Sequence, residues 1–279
     1  MSARDDVEAL IGSVTGRRIY DLEQPRTSAM PVHQAHVPGY IYHLHRRHED
    51  TYDPEQEGPR SGASGMVVMM EHTGTHIDAL SHQAADLCLY GGVKLTPRIE
   101  TSRGFKVHGI ETMAPIVVRG VLLDVAATLH HKLGEAPLPA HYRITADDLE
   151  AAARRAEVTV KAGDALLVRT GYAKVWTDAP RYLAAAGVSR TGSEWAAEHR
   201  VGFVGCDNMT WDETEERDPD TGGHLFAHLH LLARLGIPII ENLYLEDLSR
   251  DNCSTFLFVC APLKMVGATG SPVRPLAIA

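Results

Sequence analysis

Apolar residues recur along this chain with two alternating spacings. Continuous or alternating runs of strand length fall at residues 17–22, 40–46, 66–70, 117–125, 164–169, 201–207 and 237–243. Between the later runs lie segments with helical spacing, at residues 145–155, 191–200 and 222–236, and a shorter one at 5–11. Apolar positions three and four apart mark a helix face, whereas short apolar runs mark strands buried between layers. The helix at 145–155 carries Thr145 as a plausible N-cap, acidic Asp147 and Asp148 in its first turn, and Arg154 and Arg155 at its end, the order that caps and the helix dipole favour. The segment at 222–236 presents Leu225, Leu229, Leu232 and Leu235 on one face and ends at Gly236, a C-terminal glycine signal. Strands alternating with helices predict an α/β protein, and no linker or repeat divides it, so residues 1–279 are expected to form a single domain.

Composition narrows the function classes. A 279-residue chain can bury a large core. The net charge is −9 with no dominant basic cluster, which argues against a nucleic-acid partner. No apolar run approaches the length needed to span a membrane. Cys88, Cys206, Cys253 and Cys260 form no Cys-x-x-Cys pair, and the first residues carry no apolar signal segment, so the cytoplasm is the expected compartment. Nucleophilic catalysis has little support, since there is no Gly-x-Ser-x-Gly elbow and no cysteine with an obvious adjacent base.

The 16 histidines tilt the reading towards metal or proton chemistry, and residues 71–82, Glu-His-Thr-Gly-Thr-His-Ile-Asp-Ala-Leu-Ser-His, locate it. As a helix, this stretch would put His72 and His76 on one face but turn Asp78 and His82 away, because each residue rotates by about 100°; Thr73, Gly74 and Thr75 are also poor helix formers. As an extended chain, His72, His76, Asp78 and His82 share one side. A straight strand would hold the outer two too far off, so a bend at Gly74 is required. The reading is a buried strand ending near Glu71, a turn at Gly74, and a second extended piece through Asp78. Imidazole and carboxylate gathered in this way suit a divalent ion, zinc or manganese by ligand type.

A second half of the site is expected at 237–243, where Glu241 is a lone carboxylate on an apolar strand and wants a compensating charge. His224, His228 and His230 compete as the distant histidine; His228 meets Glu241 if its helix packs back on the strand. Residues 207–212 follow a strand end, where α/β proteins often build sites, and are a candidate border of the substrate. Tyr40 and Tyr42 are candidates for an entrance. His43, His45, His48, His130 and His131 read as solvent-exposed, and Trp176, Trp195 and Trp211 as packing residues.

These residues resemble the cyclase-family metal hydrolases, which include bacterial kynurenine formamidase and isatin hydrolase. Their pattern His-x-Gly-Thr-His-x-Asp-x-x-x-His is matched by His72, Gly74, Thr75, His76, Asp78 and His82, and a second pattern by His228, Gly236-Ile237 and Glu241-Asn242-Leu243. Leu80 stands where many formamidases have proline, and the chain's length is nearer the isatin-hydrolase branch. The resemblance implies a swivelling β/β/α fold in a homodimer or homotetramer. It also implies metal ligands at His72, His76 and Asp78, with Asp78 bridging to a second position completed by His228 and Glu241, and His82 as general base. The expected activity is hydrolysis of a C–N amide bond, a formamide or lactam, in a small aromatic or cyclic substrate. From the residues alone, His82 as a further metal ligand stays open. A rival reading is a ferrous oxygenase built on His76, Asp78 and His228, and a third is a structural metal site without catalysis.

Overall fold

The apolar runs at 17–22, 117–125, 164–169, 201–207 and 237–243 supply strands of one nine-stranded sheet. In the computed structural model, which describes residues 3–129 and 137–279, the strands follow one another across the sheet as Ile19–Asp21, Leu276–Ile278, Thr255–Cys260, Ile116–Asp124, Ala165–Arg169, Phe203–Cys206, Ile239–Glu241, His76–Asp78 and Gly270–Pro272. The four from Ile116–Asp124 to Ile239–Glu241 run parallel, and antiparallel strands flank them on both sides. Each parallel step is made by a crossover containing a helix, Ala146–Arg155, Arg190–Glu198 or His228–Leu235. The architecture is mixed α/β, as the alternation of spacings predicts. His130 and His131 lie outside the described residues.

Both faces of the parallel strands are covered, so their residues alternate between two apolar layers. Val121, Leu123, Leu166, Val168 and Ile239 pack with helix residues Leu149, Ala152, Trp195, Leu231 and Leu232 on one face. Leu122, Leu167 and Ile240 point to the other, against Ile77, Phe256, Phe258 and Leu243. Two-sided burial explains why these strands read as continuous apolar runs. Ala146–Arg155 carries the expected cap: Thr145 Oγ1 accepts from Asp148 N while Asp148 accepts from Thr145 N. Trp176, Trp195 and Trp211 are buried in the core.

Three expectations change. The helix at 222–236 starts later, because Asp218 Oδ1 draws Thr221 N into a turn and Leu225 adopts a φ of 58°. Its final eight residues, His228–Leu235, are wound as a π-helix closed at Gly236. That winding breaks the 3.6-residue phase on which the apolar face was drawn; Leu231 and Leu232 are buried while Leu235 is exposed. The strand before the histidine motif, Ser64–Met69, is not buried. It pairs only with Tyr40–Arg46 as a two-stranded ribbon, and Ile41, Tyr42, Leu44, Met66, Val67 and Val68 are all exposed on it. Neither Tyr40 nor Tyr42 is among the residues lining the site's cavity.

Candidate metal centre

The turn that gathers the motif is tied down from both sides. Gly74 has a φ of 61°, in the left-handed region that glycine occupies at no steric cost. Arg26 donates to the carbonyls of Thr73 and Thr75 on either side of it, and a Cβ at Gly74 would lie 2.6 Å from Arg26 Nη1. Asn242 Nδ2 donates to Gly74 O at 3.0 Å, and Thr75 Oγ1 donates to Asn242 O at 2.7 Å. The chain leaves this bend as the strand His76–Asp78, whose His76 is directly opposite Glu241 in antiparallel register. Cross-strand partners share a face, as do residues two apart. His76, Asp78 and Glu241 therefore point into one place.

His228 arrives from the π-helix. Its Nδ1–H donates to Asp212 Oδ2 at 2.9 Å, and Asp212 Oδ1 accepts from Ala227 N at 2.7 Å. His228 Nε2 thereby faces the carboxylates, 3.3 Å from Glu241 Oε1 and 3.6 Å from Asp78 Oδ2. His76 is oriented in the same manner: Nδ1–H donates to Gly74 O at 2.8 Å, leaving Nε2 3.2 Å from Glu241 Oε2 and 3.6 Å from Asp78 Oδ1. His72 places Nδ1 2.8 Å from Asp78 Oδ1. The His82 ring stacks on His72 with centroids 3.8 Å apart and is 6.0 Å from the His228 ring. The structure thus brings together His72, His76, Asp78, His82, His228 and Glu241. Of the competing histidines, His230 stacks on Phe226 instead, and His224 lines the cavity above.

This set fits a cation. Among the described residues, four buried side-chain atoms have no hydrogen-bond partner: His76 Nε2, Asp78 Oδ2, Glu241 Oε1 and Ser81 Oγ. A buried polar atom left unpaired costs about 1–3 kcal/mol, yet three of the four converge here. Two ligand sets can be drawn within 4.8 Å, His72–Asp78–His82 and Asp78–His228–Glu241, with Asp78 common to both. Burial opposes the charge on Asp78, but facing imidazoles, His82 foremost, hold its carboxyl well below the usual range. Burial and the Asp78 charge raise Glu241, yet His228 and His76 bring it down overall. Burial likewise lowers His228, but Asp212 and Glu241 raise it well above the ordinary value. A divalent ion and such protons compete for the same lone pairs.

Above the cluster opens a cavity of about 450 Å³, walled by His33, His36, Gln83, Met209, Thr210, Thr214, His224 and Leu225, within the size range of small-ligand sites. Met209 and Thr210 come from the 207–212 stretch expected to border a substrate. Burial pushes His82 down to about 3, against the pull of Asp78 and helped by His72 and His228, so the ring is neutral at neutral pH. Burial and the nearby His72 push His36 down to about 4; its ring lies 5.1 Å from that of His72. Sequence reasoning missed Arg26, His33 and His36, which sit in a stretch rich in proline with no periodicity, and the role of Asp212. Only the acid at the end of the 207–212 stretch hinted at the last.

The sequence model of the Cyclase family matches residues 20–213, more than half of the chain. The chain belongs to the cyclase family. A solved structure described as a novel cyclase is 28% identical, with a TM-score of 0.82 over 100% of this chain and 94% of its own. An isatin hydrolase bound to the product analogue thioisatinate is 21% identical, with a TM-score of 0.72 over 100% of this chain and 99% of its own. A predicted metal-dependent hydrolase from Bacillus stearothermophilus is 22% identical, with a TM-score of 0.58 over 95% and 99%. These likenesses show that the mixed α/β fold of this cyclase-family chain is shared. The oxygenase expectation gains no support: two carboxylates and four imidazoles gather here, more than a facial triad of two histidines and one carboxylate uses. No helix among the described residues is long and apolar enough to cross a membrane.

Proposed function

We propose that this cyclase-family chain is a divalent-metal-dependent hydrolase that cleaves the C–N amide bond of a formamide or lactam in a small aromatic or cyclic substrate. The observation that carries the reading is the convergence of unpaired buried His76 Nε2, Asp78 Oδ2 and Glu241 Oε1 beneath a cavity large enough for such a molecule. His72, His76, Asp78, His228 and Glu241 would hold one or two ions, zinc or manganese by donor type. A divalent ion bound there supplies water of lowered pKa and positive charge for a developing oxyanion.

The protein's own groups do the rest. Gly74 O and Asp212 fix the ring orientation of His76 and His228. Neutral His82, stacked on His72 at the cavity floor, accepts the proton of the attacking water. The same ring can then pass that proton to the leaving nitrogen. The apolar side chains of Met209 and Leu225 limit the water that reaches the substrate. The isatin hydrolase among the similar folds favours a cyclic amide over an open one.

The test is chelation followed by reconstitution with zinc or manganese, assayed on N-formylkynurenine and isatin. Activity is expected to vanish with the metal and return with one or two ions per chain. Metal-replete protein that turns over no amide, lactam or ester would reject the proposal.

We also propose that the expected homo-oligomer forms when a second copy covers the apolar ribbon of Tyr40–Arg46 and Ser64–Met69. Isolated two-stranded ribbons are marginal in water. Ile41, Met66 and Val68 lie on one face of the ribbon and Tyr42, Leu44 and Val67 on the other, so a second copy that wraps the ribbon covers apolar side chains on both sides. Ile41 and Val68 are cross-strand partners. Light scattering should therefore give a dimer or tetramer for the natural protein and a monomer for Ile41→Glu/Val68→Glu; a monomeric natural protein refutes this.

A further inference from the structure

His76 and His228 each lean on an outer acceptor, Gly74 O and Asp212. His72 has neither. Its Nε2 lies instead 2.9 Å from the hydroxyl of Thr269, and that hydroxyl lies 2.8 Å from Glu71 Oε2. Proton counting settles the direction of this chain of contacts. Glu71 Oε2 already accepts Thr269 N at 2.7 Å and Gly270 N at 3.0 Å. An oxygen that receives two N–H groups is an acceptor towards the hydroxyl as well. The single hydroxyl proton of Thr269 therefore goes to Glu71, and a lone pair of Oγ1 faces His72. Nε2 must carry a proton to donate to it. A neutral imidazole has only one, so Nδ1 is bare, and it points at Asp78 Oδ1 from 2.8 Å.

We propose that Glu71 and Thr269 are positioning residues: a relay from Glu71 through Thr269 holds His72 as its Nε2–H tautomer and makes Nδ1 the atom offered to the metal. The inference rests on the metal-centre reading above and adds two residues to it. The surrounding backbone is built for the contact. Thr269 immediately precedes the strand Gly270–Pro272, which pairs with His76–Asp78, and Gly270 is opposite Asp78. A Cβ at Gly270 would lie 2.7 Å from His72 Cε1, so glycine there lets the imidazole lie flat against the strand. Support for His72 and support for Asp78 thus come from one segment near the far end of the chain.

Because a single oxygen takes all three donors, it is the acceptor and not the carboxylate charge that matters, and this separates the variants. Thr269→Val and Glu71→Leu remove the relay; Thr269→Ser and Glu71→Gln, whose amide oxygen can occupy the place of Oε2, keep it. Two measurements are made on each protein: the zinc dissociation constant by chelator competition, and the ¹⁵N histidine spectrum of the zinc-loaded form. Outer partners of metal-bound histidines are typically worth 10–100-fold in affinity. The first pair is expected to bind zinc 10–100-fold more weakly and the second pair within threefold of the natural protein, whose His72 shows a protonated Nε2 and a zinc-bound Nδ1. Zinc affinities unchanged in Thr269→Val and Glu71→Leu, or His72 bound through Nε2, overturn the relay while leaving the metal centre standing. Natural protein that binds no zinc or manganese overturns both. If either disruptive variant fails to fold, the other, with the spectrum of the natural protein, still decides.

Discussion

Replacing Asp78 with asparagine is expected to empty both metal positions and to lower hydrolysis by at least about a thousandfold, since a bound cation contributes several kcal/mol and each 1.36 kcal/mol is tenfold in rate. Asp78 is the one side chain common to both ligand sets. Its Oδ1 lies 2.8 Å from His72 Nδ1, and its Oδ2 has no hydrogen bond at all. Asparagine keeps the shape but removes the negative charge from a site where the residue is 1% exposed. It also puts an amide nitrogen, which has no lone pair to give a cation, where one carboxylate oxygen stood, whichever way the amide is oriented. Elemental analysis and kcat/KM on the same preparation check this together. An Asp78→Asn protein that retains a full metal complement and activity within tenfold of the natural enzyme contradicts the central role given to this carboxylate.

The second large effect is expected from His82→Ala. Acting as general base and acid, His82 contributes about 10²–10⁴-fold, so kcat should fall by that much while metal content stays the same. The stacked contact with His72 is lost in this variant, but the groups orienting His72, His76 and His228 are untouched. Acting instead as a ligand beside His72 and Asp78, which its nitrogen approaches closely enough to permit, His82 would take metal with it when removed. Measuring metal content and kcat side by side separates the two. Full turnover with full metal excludes both roles.

Some of this was open to reading along the chain. The histidines and aspartate at 72, 76, 78 and 82 share one parity because strand geometry repeats every two residues, and Gly74 marks the bend because glycine takes a φ of 61° at no steric cost and leaves room for the Arg26 strap. Thr145 with Asp148 announces a helix start by a local hydrogen-bond exchange. Burial was less legible. The strand Ser64–Met69 carries the apolar pattern of a core strand, yet in the ribbon it forms with Tyr40–Arg46 the side chains of Ile41, Tyr42, Leu44, Met66, Val67 and Val68 are exposed. Hydrophobic attraction is non-directional, so an apolar run records that it wants cover without recording what supplies it. The helical phase at His228–Leu235 failed for a different reason: π winding changes which residues face the sheet, and nothing in the residue types announced it.

The sequence alone determined the alternation of strands and helices, the bend, and the kind of ligand atoms collected around it, because each of these depends on residues a few positions apart. Tertiary structure decided which distant groups meet them. Sheet order sets Glu241 opposite His76 and Gly270 opposite Asp78; the π-helix selects His228 over His224 and His230; and Arg26, His36, Asp212 and Thr269 reach the site from segments with no pattern of their own. Such meetings are settled by how layers pack and strands register, over separations at which the chain's local preferences have no influence.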